Sequence, residues 1–529
     1  MAPIPTSEVR LAELIGSMSL ATDLGLGQPM EHVLRSSVLG LRIAEDIGLD
    51  EPERAVVYYV ALLAWLGCHV DAHEQSAWFG DDIELRADRH LADLVGPAMA
   101  SFVLRHVGRG EPPLRRARLL GSLLVSGRGA VAAMETTHCL VAGLFAIRLG
   151  LGEPVRDALQ HVFERWDGRG TPAGLAGEQI ALPARIAVIA DIVEAFRRLG
   201  GLEAAVEVAR RRAGGQFDPQ LAEHVCATAD ALLSDLDETT GWDAAIAAEP
   251  ALARRMSGVE LDTALAAIAD FADLKSPYTT GHSRGVAERA AAAATRAGLG
   301  DATAAELRRA GLLHDVGRLG VSNTIWDKAA PLSETEMERV RMHPYLTQRT
   351  FSRAPRLARL AEVAAAHHER LDGSGYPRGL AGGALSPEAR ILAAADAYQA
   401  MTEPRPHRGA RSADDAAREL RRDVAAGRLD ADAVDAVLGA AGHRVRRRRE
   451  GPAGLTPREV EVLVLLARGL SNKEIGARLV VSPRTVGHHI AHIYRKIGSS
   501  NRAGASLYAM QHGLLPDLGG ASGDRSNSR

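Results

Sequence analysis

Residues 312–320 read Leu-Leu-His314-Asp315-Val-Gly-Arg318-Leu-Gly, and the same chemistry returns at Met-His343-Pro344. It returns again at His367-His368-Glu369-Arg370-Leu371-Asp372-Gly373-Ser374-Gly375-Tyr376-Pro377. Taken singly, a histidine is more often an ordinary surface or core residue than a ligand. Three separated His clusters, one with an adjacent Asp, are another matter: neutral imidazoles with a carboxylate suit one or two borderline divalent metals.

The flanking sequence reads as helices. Val286, Ala290 and Ala294 follow His282 at helical spacing, and Leu307 to Leu313 form a second apolar run ending at His314-Asp315. Ser333-Glu-Thr-Glu336 is a capping box for a helix leading to His343. Leu360 to His368 is expected to be helical, and Arg390 to Met401 carries Asp396 on an apolar face. No alternating pattern signals strands. Ligands converging from several helices are how bundle metal sites are built.

The chain repeats itself. His32, Gly48-Leu49, Leu62-Leu63 and Gly67 recur 250 residues later as His282, Gly298-Leu299, Leu312-Leu313 and Gly317. Glu164 to Pro172 recurs as Glu369 to Pro377, and Ala190-Asp191 as Ala395-Asp396, both 205 residues later. The drop in offset means that the first copy carries about 45 extra residues between the blocks. That copy has lost most ligands: Ala64 and Trp65 stand for His314 and Asp315, and Val162 and Phe163 for His367 and His368. His32 and Asp191 alone do not make a metal site, so a degenerate, non-catalytic domain is expected. His69 and His73 could share a helix face, but a polar helix end or loop is the plainer reading. Ala227 to Arg255 is expected to be a linker or a broken helix, and Ala264 to Leu274 a helix ended by Pro277.

The chain has 529 residues, 46% of them hydrophobic and only 4% aromatic, with Ala and Leu dominant, so about three mostly helical domains are expected. Net charge is only −3, yet from His443 onward 15 Lys/Arg face 6 Asp/Glu. The end of the chain is basic and the rest acidic, an asymmetry that suggests a nucleic-acid-binding tail. Cys68, Cys139 and Cys226 are widely spaced, which argues against a disulfide framework and for a reducing cytoplasm. The N-terminus has no charged n-region with an apolar run, and no stretch approaches about 18 uninterrupted apolar residues, so a membrane partner is not expected.

Over Leu261 to Leu438 the series of motifs resembles the HD-GYP family of metal-dependent phosphodiesterases. The resemblance implies that His282, His314, Asp315 and Asp396 form the basic metal set. His343, His367 and His368 complete a second site, with Asp315 bridging. It implies two divalent ions, Fe or Mn, which lower the pKa of a bridging water and clamp the attacked phosphoryl group. Asp315 and Arg318 would be catalytic, and Arg318, Arg370, Gly375, Tyr376 and Pro377 would bind substrate, in the family cyclic di-GMP. Arg318 stands where the family usually has Lys, keeping the charge but presenting a planar fork. Tyr278 stands where members with a third metal place Glu.

Beyond a basic linker, Leu455-Thr456-Pro457-Arg458-Glu459 carries an N-cap, a Pro at N1 and a Glu at N3. Ser471-Asn-Lys-Glu474 repeats the box, and Ser482-Pro483 opens a third helix bearing Val486, Ile490, Ile493 and Ile497. This is a helix-turn-helix. From Leu455 to Leu515, Gly-Leu-Ser-Asn-Lys-Glu-Ile-Gly, Ser-Pro-Arg-Thr-Val and His-Ile-Tyr-Arg-Lys-Ile-Gly resemble the LuxR-type DNA-binding domain. That resemblance places Arg484, Thr485, His488, His489 and His492 toward double-stranded DNA and Lys473, Lys496 and Arg502 toward its phosphates. Gly487 stands where many relatives have a basic residue.

The expected architecture is mostly α: two tandem all-α HD-like domains followed by a small helix-turn-helix domain. Its bounds are 1–235 for the degenerate domain, 236–256 for a linker and 257–440 for the metal domain. A basic linker spans 441–454, the DNA reader 455–516 and a disordered tail 517–529. Function reads as a cytoplasmic, DNA-binding regulator with a cyclic-dinucleotide phosphodiesterase, active as a homodimer on paired half-sites. The alternative is a regulator whose metal domain senses metal and nucleotide without hydrolysis.

Overall fold

The computed structural model describes residues 8–93, 95–109, 111–234, 236, 241–250, 254–444, 452–479 and 481–515. Its regular structure is helical apart from two short strands, β1 (Val9–Arg10) and β2 (Arg255–Met256), paired antiparallel with Val9 opposite Met256. The chain forms two compact units, one ending at His443 and one beginning at Arg444. Most of the basic linker, 445–451, and the tail from 516 lie outside the described residues.

The first half of the large unit runs α1 (Leu11–Leu26), α2 (His32–Asp46), α3 (Glu51–Leu63), α4 (Ala72–Phe79), α5 (Asp82–Leu91) and α6 (Gly96–His106). It continues through α7 (Pro113–Arg148), α8 (Glu153–Leu159), α9 (Leu182–Arg212, broken at Gly200–Gly201), α10 (Pro219–Leu233) and α11 (Gly241–Ala247). The second half runs α12 (Gly258–Asp273), α13 (His282–Arg296), α14 (Asp301–Leu313), α15 (Asn323–Trp326), α16 (Glu334–Arg341) and α17 (His343–Phe351). It ends with α18 (Pro355–Ala364), α19 (Pro387–Thr402), α20 (Ala413–Ala425) and α21 (Ala431–Ala440).

The internal repeat is visible at the level of single hydrogen bonds. The Asp23 carboxylate accepts from the Val33 amide at 3.1 Å, and Asp273, 250 residues on, accepts from Ser283 at 2.8 Å. Glu164 pins a loop through the amides of Ala173 and Leu175, as Glu369 does through Arg378 and Leu380, 205 residues on. Gly67 and Gly317 sit where a Cβ would fall 2.4 Å from the His138 carbonyl and 2.0 Å from the His343 carbonyl, respectively. His138 is therefore the first-half counterpart of His343, so the extra residues lie between Gly67 and His138, in the stretch that holds α4, α5 and α6.

Three local expectations differ from what is found. Within the 236–256 stretch, expected as a linker, residues 241–250 pack into the core: Trp242 is buried beside Gly16, Tyr58 Oη donates to the Ala245 carbonyl at 2.9 Å, and Glu249 pairs with Arg10. His69, expected at a polar helix end, closes a 3-10 turn and is fully buried against Phe271, so its ring is neutral, burial pushing its pKa down. The helix expected from Leu360 to His368 stops at Ala364, and His367 and His368 occupy the turn beyond it. One window, Val131–Arg148 in α7, is long and apolar enough to span a membrane by length and composition alone, although Glu135, His138 and Arg148 interrupt its apolar run.

The halves share one continuous apolar core that runs from Val9 to Ala361. Helix α1 reaches across to the second half, and Leu24 lies against Gly320 in the turn Val316–Gly320. The small unit holds α22 (Pro457–Ala467), α23 (Asn472–Leu479), α24 (Pro483–Ile497) and α25 (Arg502–Gln511) around Leu455, Val462, Leu463, Ile475, Val486 and Ile493. Thr456 and Glu459 form the expected capping box, and Ser482 caps α24 by accepting from the Thr485 amide.

Candidate metal centre and DNA-reading helix

Six of the seven expected ligands of the second half sit where a helix begins or just beyond where one ends. His282 opens α13, His343 opens α17, and His314-Asp315 follow α14 directly. His367 and His368 follow the end of α18, and Asp396 lies in the middle of α19. Helix ends leave backbone carbonyls without intrahelical partners, and this site uses them. His314 Nδ1 donates to the Gly311 carbonyl at 2.8 Å, His343 Nδ1 to Val340 at 2.6 Å and His367 Nδ1 to Ala364 at 2.6 Å. With Nδ1 carrying the proton, the neutral form of each ring turns a bare Nε2 lone pair inward.

Asp315 spans the site. Its Oδ2 lies 3.4 Å from His314 Nε2 and 3.6 Å from His282 Nε2, while Oδ1 lies 3.4 Å from His343 Nε2 and 3.6 Å from His367 Nε2. Asp396 Oδ1 sits 3.3 Å from His282 Nε2, and its Oδ2 is 3.9 Å from His368 Nδ1. Thus all seven expected ligands are brought together, as two groups joined by one carboxylate.

The residues fit divalent cations on their own chemistry. The Nε2 atoms of His343 and His367 face each other at 3.1 Å, two acceptors with no proton between them once each Nδ1 is committed. His314 Nε2 is buried with no hydrogen-bond partner. Buried polar atoms left so are rare unless an ion or water serves them. The other ring nitrogen of His282 is held by Glu403 at 2.8 Å, a carboxylate–histidine pair that orients a metal ligand.

The chain matches the HD domain family over residues 144–221 and 266–433, stretches that lie in both halves, and the family of bacterial regulatory proteins, luxR family, over 453–509. It is 33% identical over 410 residues to the 3'3'-cGAMP-specific phosphodiesterase 3 of Vibrio cholerae, covering 77% of this chain and 89% of that protein. The chain belongs to the HD-GYP phosphodiesterase family. A crystal structure of a cyclic GMP-AMP specific phosphodiesterase of V. cholerae superposes with a TM-score of 0.58 at 29% identity, covering 83% of this chain and 99% of that one. Similarity to the cyclic di-GMP phosphodiesterase of Thermotoga maritima is confined to one region, 37% identical over 125 residues, 23% of this chain and 34% of that protein.

Around the HD-GYP ligands, the rim is cationic. Arg318 Nη1 donates to Asp315 Oδ2 at 3.1 Å, and its guanidinium lies 3.9 Å from the Trp326 ring centre. Tyr376 stacks 4.6 Å from the ring of His368. Arg370 is turned to the carbonyls of His367 and Glu369, and Gly375 packs so closely on Glu369 and the Arg370 amide that a Cβ would clash at 2.4 Å. Arg370 and Gly375 therefore shape the loop, and Pro377 follows within it. Tyr278, at the position of the family's third-metal Glu, offers its backbone carbonyl to Arg405.

Sequence reasoning missed Glu403 and Arg405. Arg405 donates to Glu403 at 3.1 Å and faces the same cluster as Arg318; burial and Arg318 both lower its pKa. The signal was there as Glu-Pro-Arg-Pro, two opposite charges each followed by a proline just past the Asp396 helix.

In the LuxR-type unit, Arg484, Thr485, His488 and His492 lie on the exposed side of α24, with Arg495 continuing the stripe, and Lys473 is exposed on α23. The other three candidates have intramolecular partners or partial cover. His489 is half-buried, and burial lowers its pKa. Lys496 Nζ pairs with Glu459 at 2.7 Å and with the Gly454 carbonyl. Arg502 donates to the carbonyls of Leu466 and Leu470. Lys496 and Arg502 are exposed and also help to close the unit. Gly487 has open space beside it, with Asn472 the nearest group at 3.7 Å.

Proposed function

We propose that the second half hydrolyses a 3',5'-phosphodiester of a cyclic dinucleotide and that this chemistry is coupled to a DNA-reading unit on the same chain. The observation that carries the catalytic reading is the pair of facing Nε2 atoms across Asp315, an arrangement that a divalent cation would satisfy. His282, His314, Asp315 and Asp396 would hold one ion and Asp315, His343, His367 and His368 the other, with Fe or Mn suited to the N/O donor set. When bound, such ions neutralise phosphoryl charge and lower the pKa of water. The protein's own part is orientation and charge. Asp315 fixes the spacing of the two ligand groups, Arg318 and Arg405 present guanidiniums to the phosphate, and Tyr376 offers a ring beside the opening. Substrate choice lies between cyclic di-GMP, the family's usual substrate, and 3'3'-cGAMP, named for the V. cholerae relative.

The test is to load purified full-length protein with Mn or Fe and supply each nucleotide in parallel. A linear dinucleotide from one of them, absent with Asp315→Ala, is the expected result. Equal product from both proteins would defeat hydrolysis at this site, and nucleotide binding without product would select the sensor reading.

The DNA-binding part of the proposal rests on α24, whose exposed stripe is basic and capped. A homodimer on paired half-sites is supported by Leu507 and Met510, more than half exposed and three residues apart on α25. A reducing cytoplasm suits the three free cysteines. Removing residues after Gly454 is expected to abolish retention on DNA, while unchanged retention would defeat the assignment.

A further inference from the structure

The stretch that holds the extra residues of the first half includes α5, and that helix carries a histidine into the degenerate centre. His32 opens α2 as His282 opens α13, and Asp191 lies in α9 as Asp396 lies in α19. Trp65 fills the place of the bridging Asp315 and hydrogen-bonds Asp191, so no second ligand group can assemble there. His90 comes from outside the repeat. Its Nε2 lies 3.1 Å from Asp191 Oδ2, and His32 Nε2 lies 3.0 Å from Asp191 Oδ1. One donor atom from each of the three falls within 4.8 Å of the others, and the two rings meet edge to face at 5.0 Å.

From this cluster we propose that the first half holds one divalent cation of Zn²⁺ type on His32, His90 and Asp191. Two observations beyond the cluster point to a ligand. His90 Nε2 and Asp191 Oδ2 are both buried, with the His90 side chain 6% exposed, and face each other at 3.1 Å in a geometry that makes no hydrogen bond. In addition, His32 Nδ1 is taken by Glu194, which leaves Nε2 turned to Asp191, the same outer pairing that Glu403 gives His282. Ligands about 2.0–2.1 Å from a tetrahedral ion stand about 3.4 Å apart, close to the spacings found. Two imidazoles and one carboxylate leave a fourth position for water or a small anion. The ion's place in the molecule is structural: it would fasten α5 to α2 and α9. This proposal does not rest on hydrolysis in the second half.

The experiment uses the full chain with His282→Ala, Asp315→Ala and His367→Ala, which removes the shared carboxylate and one histidine from each second-half ligand group. The protein is dialysed against Zn²⁺ or Co²⁺, exchanged into metal-free buffer and assayed for bound metal. One equivalent is expected to remain, with the visible absorption of tetrahedral Co²⁺. Adding His90→Ala should bring it to background, and Glu194→Gln should weaken binding about 10–100-fold. Adding His90→Cys instead should keep one Co²⁺ and introduce a thiolate charge-transfer band, which covers the case in which the alanine variant fails to fold. No retained equivalent in the starting variant overturns the proposal. So does one equivalent that survives His90→Ala, or a cysteine variant without the band; His32 between Asp191 and Glu194 is then an ion-paired imidazolium and nothing more.

Discussion

At the scale of single residues, the candidate centre depends on who holds the far side of each imidazole. Three rings use backbone carbonyls and His282 uses Glu403. Glu403→Gln keeps the shape and removes the charge, so metal affinity is expected to fall about 10–100-fold, read by competition with a chelator. Arg405→Ala should mainly raise KM for the nucleotide, whereas Asp315→Ala should abolish turnover; equal effects on KM and kcat would remove Arg405 from the phosphate contacts. All seven candidate ligands were legible in the sequence through its resemblance to the HD-GYP family. Glu403 and His90 were not, because each acquires its role only by meeting a residue far along the chain, 121 positions away for His282 and Glu403. The bonds of Lys496 and Arg502 within their own unit were not legible for a related reason: a basic side chain looks the same in sequence whether or not it also meets a carbonyl of its own fold.

At the scale of elements, α5 is the strap between the halves. Its first residue, Asp82, is buried; it accepts from Ser322 Oγ and the Asn323 amide at 2.7 Å each and pairs with Arg86 and Lys275. Burial alone would raise this carboxyl, but Lys275 and Arg86 hold it down at about 2. A depressed carboxyl contributes stability that is complete above its ordinary value of 3.8 and is lost as pH falls through the folded value. The contribution should therefore disappear between about pH 4 and pH 2, visible as acid unfolding that Asp82→Asn no longer shows in that window. Because the substitution strands Lys275 in the interior, it should also cost about 3–5 kcal/mol at neutral pH in denaturant titration. Gly317→Ala tests the neighbouring element. The added Cβ meets backbone of α17 rather than a movable side chain, so a loss of at least about 1–3 kcal/mol is expected. Helix positions were readable from capping boxes and apolar spacing, but the end of α18 was not, since nothing in Ala-Ala-Ala-His-His marks a stop.

At the scale of the molecule, the repeat was readable from its offsets, and the mostly helical class from composition and spacing. The merging of the two copies was not, because α1 and α11 bury their apolar faces on partners that no local pattern names. Two unfolding transitions are expected in calorimetry, one for residues up to His443 and one for the C-terminal unit; separate melting of the two halves would contradict the shared core. The strand pair β1–β2 ties the start of one copy to the start of the other. Once duplicated and fastened in this way, neither copy could be lost or exchanged by recombination without exposing the other's interior. The half that gave up its catalytic ligands was thus retained in descent as a permanent companion, free to change its chemistry but not to leave.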